Sequence, residues 1–193
     1  MIGNYKFAKQ AGLIAIVCGI FQIIYGLLAI FSPDNLDIYY GWGEVLWIVA
    51  CIGMASAIVG ILVLDAGKPG WLTWLSGIAV IIGVLIRIVA SILIIMGSSW
   101  DTLPLILLSI LLMLGGMFAL GIAILRGDKI NGWQAWTPIF VSIFGLIVTA
   151  LFSVNLFIHF ILLGLWGICW MLVGYVVMSY ASDHEVEPNF TTS

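Results

Sequence analysis

Charge is what this chain has least of. Six lysines and arginines and nine acids are scattered over 193 residues, so that only 8% of the chain is charged while 64% is hydrophobic. Soluble domains are about 25% charged, and a mean hydropathy of +1.26 lies far from their range. The formal net charge of -3 is spread thinly over loops and ends with no basic cluster. It gives no footing for nucleic-acid binding or for polybasic attachment to anionic lipid.

Cysteine is scarce too. Cys18, Cys51 and Cys169 are odd in number, sit inside apolar runs and form no CxxC, so they read as small buried hydrophobes and not as redox or metal-binding groups. HExxH, GxSxG and P-loop signatures are missing, and no pair of carboxylates lies within an apolar run. Nothing therefore marks a general acid and base, a metal or a cofactor, and the expectation is a protein that is not an enzyme. Asp34 and Asp37 fall beside Pro33, as expected of a solvated turn.

Long apolar runs are what the chain does have. They recur at roughly 11–31, 45–65, 71–97, 103–125, 133–154 and 157–179. Each approaches the 20 or so residues that a helix needs to cross hydrocarbon, where backbone amides find no partner outside their own helix. The fold class expected is all-α: a polytopic membrane protein of six transmembrane helices over residues 1–180, with a short polar tail at 181–193. The first run is too long for a signal-peptide core and reads as a retained helix.

Lys6 and Lys9 precede the first span, Lys68 lies between the second and third, and Arg126 and Lys129 lie between the fourth and fifth. Basic residues near span ends stay on the cytoplasmic side. Both termini are thus expected to be cytoplasmic, which leaves the NFT sequon at Asn189 without meaning for glycosylation. Trp71, Trp74, Trp133 and Trp136 open two spans at one interface, and Trp42, Trp47 and Trp100 sit near the other, the depth that indole prefers. Trp166 and Trp170, one turn apart within the last span, read as packing between helices, with an aromatic wall for a ligand as the alternative.

Odd spans resemble one another. Gly70-Trp71 and Gly132-Trp133 open the third and fifth, Trp74 matches Trp136, and Gly83 matches Gly145, with Gly26 as a weaker copy in the first. Even spans echo each other at Gly53-Met54 and Gly116-Met117, and Gly167 and Gly174 repeat the spacing of Gly53 and Gly60. The repeating unit would be a helical hairpin used three times, at about 11–65, 71–125 and 133–179. With Ser32-Pro33 after the first span, these features resemble the small bacterial six-span proteins of the HdeD type, associated with acid resistance. That resemblance implies a protein of the bacterial cytoplasmic membrane and supplies no catalytic residue.

The third span carries Arg87 close to its middle. Ser76, Ala79, Gly83, Arg87, Ala90 and Ser91 follow helical spacing and form one small and polar stripe, so Arg87 is expected to face protein. Arginine at that depth costs roughly 3 kcal/mol on insertion scales, and a partner is expected. Gln22, Tyr25, Ser109 and Thr149 lie at comparable depth, Ser91 lies one turn outward and His159 lies at the same rim. Glu44 is the expected ionic partner, although counting residues at about 1.5 Å each puts it about 12 Å above Arg87. Together these eight residues are the candidate pocket, expected to bind an anion.

Two functions follow. The first is a non-enzymatic structural or accessory subunit, in a homo-oligomer or a larger membrane complex, acting through small-residue faces such as Ala15 to Gly19, Ser56 to Gly60 and Gly115 to Ala119 to Ala123. The alternative is a small transporter, channel or lipid-binding protein with an outward-facing polar pocket around Arg87. Membrane lipids are partners in either case.

Overall fold

The computed structural model describes residues 2–31, 39–64, 70–97, 101–127, 129–151 and 156–185. Ser32, Pro33, Asp34, Asp37, Lys68, Trp100 and Asn189 lie outside the described residues, as does most of the polar tail. Six long helices make up the fold. They are α1 (Ile2–Phe31), α2 (Glu44–Val63), α3 (Trp71–Ile95), α4 (Leu103–Leu125), α5 (Thr137–Leu151) and α6 (Leu156–Glu185). Each belongs to a span long and apolar enough to cross a membrane, and among the described residues there is no strand.

The helix starts follow local chemistry. A π-helical turn at Tyr39–Gly43 leads into α2, so the second span begins at Gly41, earlier than the apolar run. The fifth run opens with a 3-10 turn at Gly132–Trp136, because Pro138 has no amide hydrogen and is tolerated only in the first turn of an α-helix. Asp101 accepts a 3.0 Å hydrogen bond from the Leu103 amide and ties down the first turn of α4.

Neighbours in sequence are neighbours in space from α1 to α6, and α6 returns to α1 to close a ring. The closing contact is the most extensive between any two helices, and α2 also touches α6. It is close because it is built from glycine. A Cβ on Gly12 would stand 2.5 Å from the Gly174 carbonyl oxygen, one on Gly26 would stand 2.5 Å from the Gly164 Cα, and Gly19 faces the Gly167 carbonyl oxygen at 3.0 Å. Small residues of this kind let helix backbones approach in lipid, where hydrophobicity gives neighbouring helices no reason to associate. At the end that holds both termini, His184 stacks on Tyr180 at 4.1 Å and faces Tyr5 of α1 at 6.1 Å.

Along α3, Leu75, Ile78, Ile82, Leu85 and Val89 are exposed, while Ser76, Gly83, Arg87, Ala90 and Ser91 are buried. Arg87 therefore faces protein. Gly83 and Gly145 are both closely packed, against different partners. A Cβ on Gly83 would meet the Ser109 carbonyl oxygen and Met113 Cγ of α4, each at 2.8 Å, whereas one on Gly145 would meet side chains, Leu114 at 2.5 Å and Trp166 at 3.0 Å.

Candidate functional site

The buried charge sits between α2 and α3. Arg87 and Glu44 are 9% and 6% exposed. Nη2 of Arg87 lies between the two carboxylate oxygens of Glu44, at 3.2 and 3.1 Å, and Nη1 donates a 2.6 Å hydrogen bond to the Ser91 hydroxyl. The guanidinium carbon is 5.3 Å from the centre of the Trp47 ring, within reach of cation–π attraction. The 12 Å separation expected between Glu44 and Arg87 is corrected here. Measured from the middles of spans Gly41–Val63 and Trp71–Ile95, the two Cα atoms differ in depth by about 6 Å. The arginine stem covers that distance by running outward along α3 to Ser91, which lies at the level of Glu44.

Beside this pair the bundle holds a cavity of about 500 Å³, and every helix contributes to its wall. Tyr25 comes from α1, Glu44 and Trp47 from α2, and Arg87 and Ile94 from α3. The longest stretch is from α4, where Leu103, Ile106, Leu107, Ser109, Ile110 and Met113 follow one another down the helix. Gly145, Val148 and Thr149 of α5 and His159, Phe160, Leu163 and Trp166 of α6 complete it, with Asp101 and Thr102 at the end opposite the termini.

Aromatic rings form one side as a connected group. Tyr25 lies 5.5 Å from Trp47 and 6.0 Å from Phe160, and Trp47 lies 6.4 Å from Trp166, centre to centre. Trp166 is fixed by donating from Nε1 to the Val141 carbonyl at 3.0 Å, and its ring meets Trp170 edge-on. Trp47, expected at the interface, is instead 5% exposed. It lies one turn inside Glu44, on the face of α2 turned toward α1 and α6, so its indole supports the arginine and not the headgroup layer.

Two hydroxyls of the site are occupied by their own helices. Ser109 donates to the Ile106 carbonyl at 2.7 Å and Thr149 to the Gly145 carbonyl at 2.8 Å. His159 places Nδ1 2.8 Å from the Val148 carbonyl, so that nitrogen carries the proton and donates.

Of the eight expected pocket residues, Arg87, Glu44, Tyr25, Ser109, Thr149 and His159 line the cavity, and Ser91 braces Arg87 from behind. Gln22 does not belong to it. Its side chain is fully buried in the α1–α6 seam, where Nε2 donates to the Leu163 carbonyl at 3.0 Å. The glycines that draw α6 close bring that carbonyl within reach, while depth alone says nothing about which face a residue occupies. Conversely, Trp47, Met113 and Phe160 belong to the wall without a clear sequence signal that marks them as site residues. Met113 carries no polar group, Trp47 reads from the sequence as an interface residue, and Phe160 beside His159 is the one weak signal.

Comparison of the chain with protein-family models, curated proteins and solved structures finds no match. What the site can do follows from its own chemistry. Its one arginine is already neutralised by Glu44 and held by Ser91 and Trp47. An anion would have to displace a buried carboxylate that is already in place, so the arrangement favours an uncharged, largely apolar guest.

Proposed function

We propose that the protein binds a small, predominantly apolar molecule in the six-helix cavity and holds it without chemical change, as a transporter or lipid-binding protein would. The observation that carries this reading is the cavity itself, with walls from all six helices and an ion pair that is internally neutral. An unfilled void of this size lowers stability, whereas apolar pockets of about 300–1,000 Å³ with a few placed polar groups are where small ligands bind. Native mass spectrometry from mild detergent tests it. The parent is expected to carry a non-covalent adduct, and Ile110→Trp, which fills the cavity, is expected to reduce adduct occupancy about tenfold or more, a loss of about 1.4 kcal/mol in binding. A bare parent mass, or an adduct indifferent to the substitution, would refute the reading.

A second reading, an accessory subunit or homo-oligomer, is favoured by the outer face of α4. There a Cβ on Gly115 would meet nothing within 4 Å, between exposed Leu111 and Phe118. The same spectra would report it as a defined complex.

We further propose that both termini face the cytoplasm of a bacterial cell. Lys6, Lys9, Arg126 and Lys129 support this, because they gather at the end of the bundle that holds the termini. The end of the cavity at Asp101 and Thr102 then lies toward the outer side. Lys129→Cys is expected to react with an impermeant maleimide only after the cells are broken, and labelling of intact cells would reverse the orientation.

A further inference from the structure

We infer that the cavity opens sideways into the hydrocarbon between α4 and α5, and that its guest is an acyl chain of a membrane lipid, an assignment that rests on the binding reading above. Two residues of the wall belong to both compartments. Leu103 and Leu107 line the cavity, yet 51% and 54% of their surfaces are exposed. Leu107 is a full turn inside the span Leu103–Leu125, where the surroundings are lipid and not water. What the cavity touches through these side chains is therefore hydrocarbon.

The packing of the two helices gives the reason for a gap. Ile139 of α5 lies against Gly121 of α4, Ser142 donates to the Leu114 carbonyl at 2.8 Å, and Leu114 lies against Gly145. From that point toward the end opposite the termini, the cavity lies between Ile106, Leu107 and Ile110 on one helix and Val148 and Thr149 on the other.

The chemistry of the gap suits a methylene chain. Ser109 and Thr149, the two hydroxyl residues nearest it, spend their hydrogen bonds on the carbonyls of Ile106 and Gly145, so they present carbon to a guest. The ionic pair stands on the α2–α3 side, and Asp101 and Thr102 lie at the end of the cavity. A slot that is apolar along its length and polar at its membrane-surface end matches a lipid lying parallel to the helices, its chain inside and its headgroup at the rim. Among the described residues Arg87 is the only lysine or arginine of the lining and is committed to Glu44, so recognition is of the chain and not of a phosphate.

Photolabelling separates the possibilities. The protein is reconstituted into vesicles containing a trace of phosphatidylcholine with a diazirine at the end of one acyl chain, and a parallel sample receives a diazirine-bearing octanol from the water phase. Adducts are then mapped by peptide mass spectrometry. Met113 and Trp166, 2% and 5% exposed, can be reached only from the cavity, and the lipid probe is expected to label them. Leu107→Trp, or Leu103→Trp should the first variant fold poorly, is expected to cut that labelling about tenfold, a change of about 1.4 kcal/mol, and to leave labelling of exposed Leu85 unchanged. Lipid adducts confined to outer faces, with Met113 labelled by the octanol, would overturn the acyl-chain inference and leave the binding site standing. If neither probe reaches Met113, the binding reading falls as well.

Discussion

Glu44→Gln is expected to destabilise the folded protein by about 3–5 kcal/mol, the cost of leaving a buried charge without its partner, and to do so by more than Arg87→Met. The inequality comes from the acid–base chemistry of what is left behind. A guanidinium keeps its charge at every accessible pH, so Glu44→Gln strands a permanent cation beside Trp47 without a counter-charge, held by neutral hydrogen bonds to Ser91 and the new amide oxygen. A stranded carboxylate in the arginine variant can instead take up a proton and become neutral. Replacing both residues, as Glu44→Leu with Arg87→Met, removes both desolvation costs and is expected to recover most of the loss. Thermal unfolding in detergent, followed by helical circular dichroism, gives the three values. A double variant no better than Glu44→Gln, or a Glu44→Gln protein that melts with the parent, would show that the pair does not carry the α2–α3 contact.

The second large effect belongs to the glycine seam. Gly12→Ala is expected to cost about 1–3 kcal/mol and Gly174→Leu more than that, because overfilled contacts are relieved only by moving backbone. The atoms in the way are main-chain ones. The Gly174 carbonyl oxygen and Met178 nitrogen confront Gly12, and the Gly12 carbonyl oxygen confronts Gly174 at 2.6 Å. Gly115 supplies the control, since its Cβ position is open. Alanine there is expected to be neutral or to stabilise by up to about 1 kcal/mol through helix propensity alone. Equal melting temperatures for Gly12→Ala and Gly115→Ala would mean that the seam is not tight.

The spans were legible in the sequence because hydrocarbon leaves the backbone one local solution, and a run of apolar residues states it without reference to any other part of the chain. Arg87 was legible for the same reason, as a cost that needs a partner. Its distance from Glu44 was overestimated, because the second span begins at Gly41, ahead of the apolar run, and this brings the two Cα atoms within about 6 Å of each other in depth. Gln22, expected in the pocket, lies instead in the α1–α6 seam. Its acceptor is 141 residues away, and no local pattern reports which helix stands opposite. The spacing of Gly12, Gly19 and Gly26 is visible in the sequence, yet their opposition to Gly174, Gly167 and Gly164 appears only when the ring closes. A cavity is still less visible, being the space that six separate packing decisions leave unfilled.

Closure of that ring also sets an order of events in biosynthesis. The chain enters the membrane from its N-terminal end, so the surface that α1 needs most is on the last of the six helices to be made. Until α6 is inserted, the amide of Gln22 has no Leu163 carbonyl to meet, and Gly12, Gly19 and Gly26 line a groove filled with lipid. Five spans without α6 would thus leave Gln22 as a polar group without this acceptor in hydrocarbon. The ring of six helices therefore closes at one helix pair, α1 with α6.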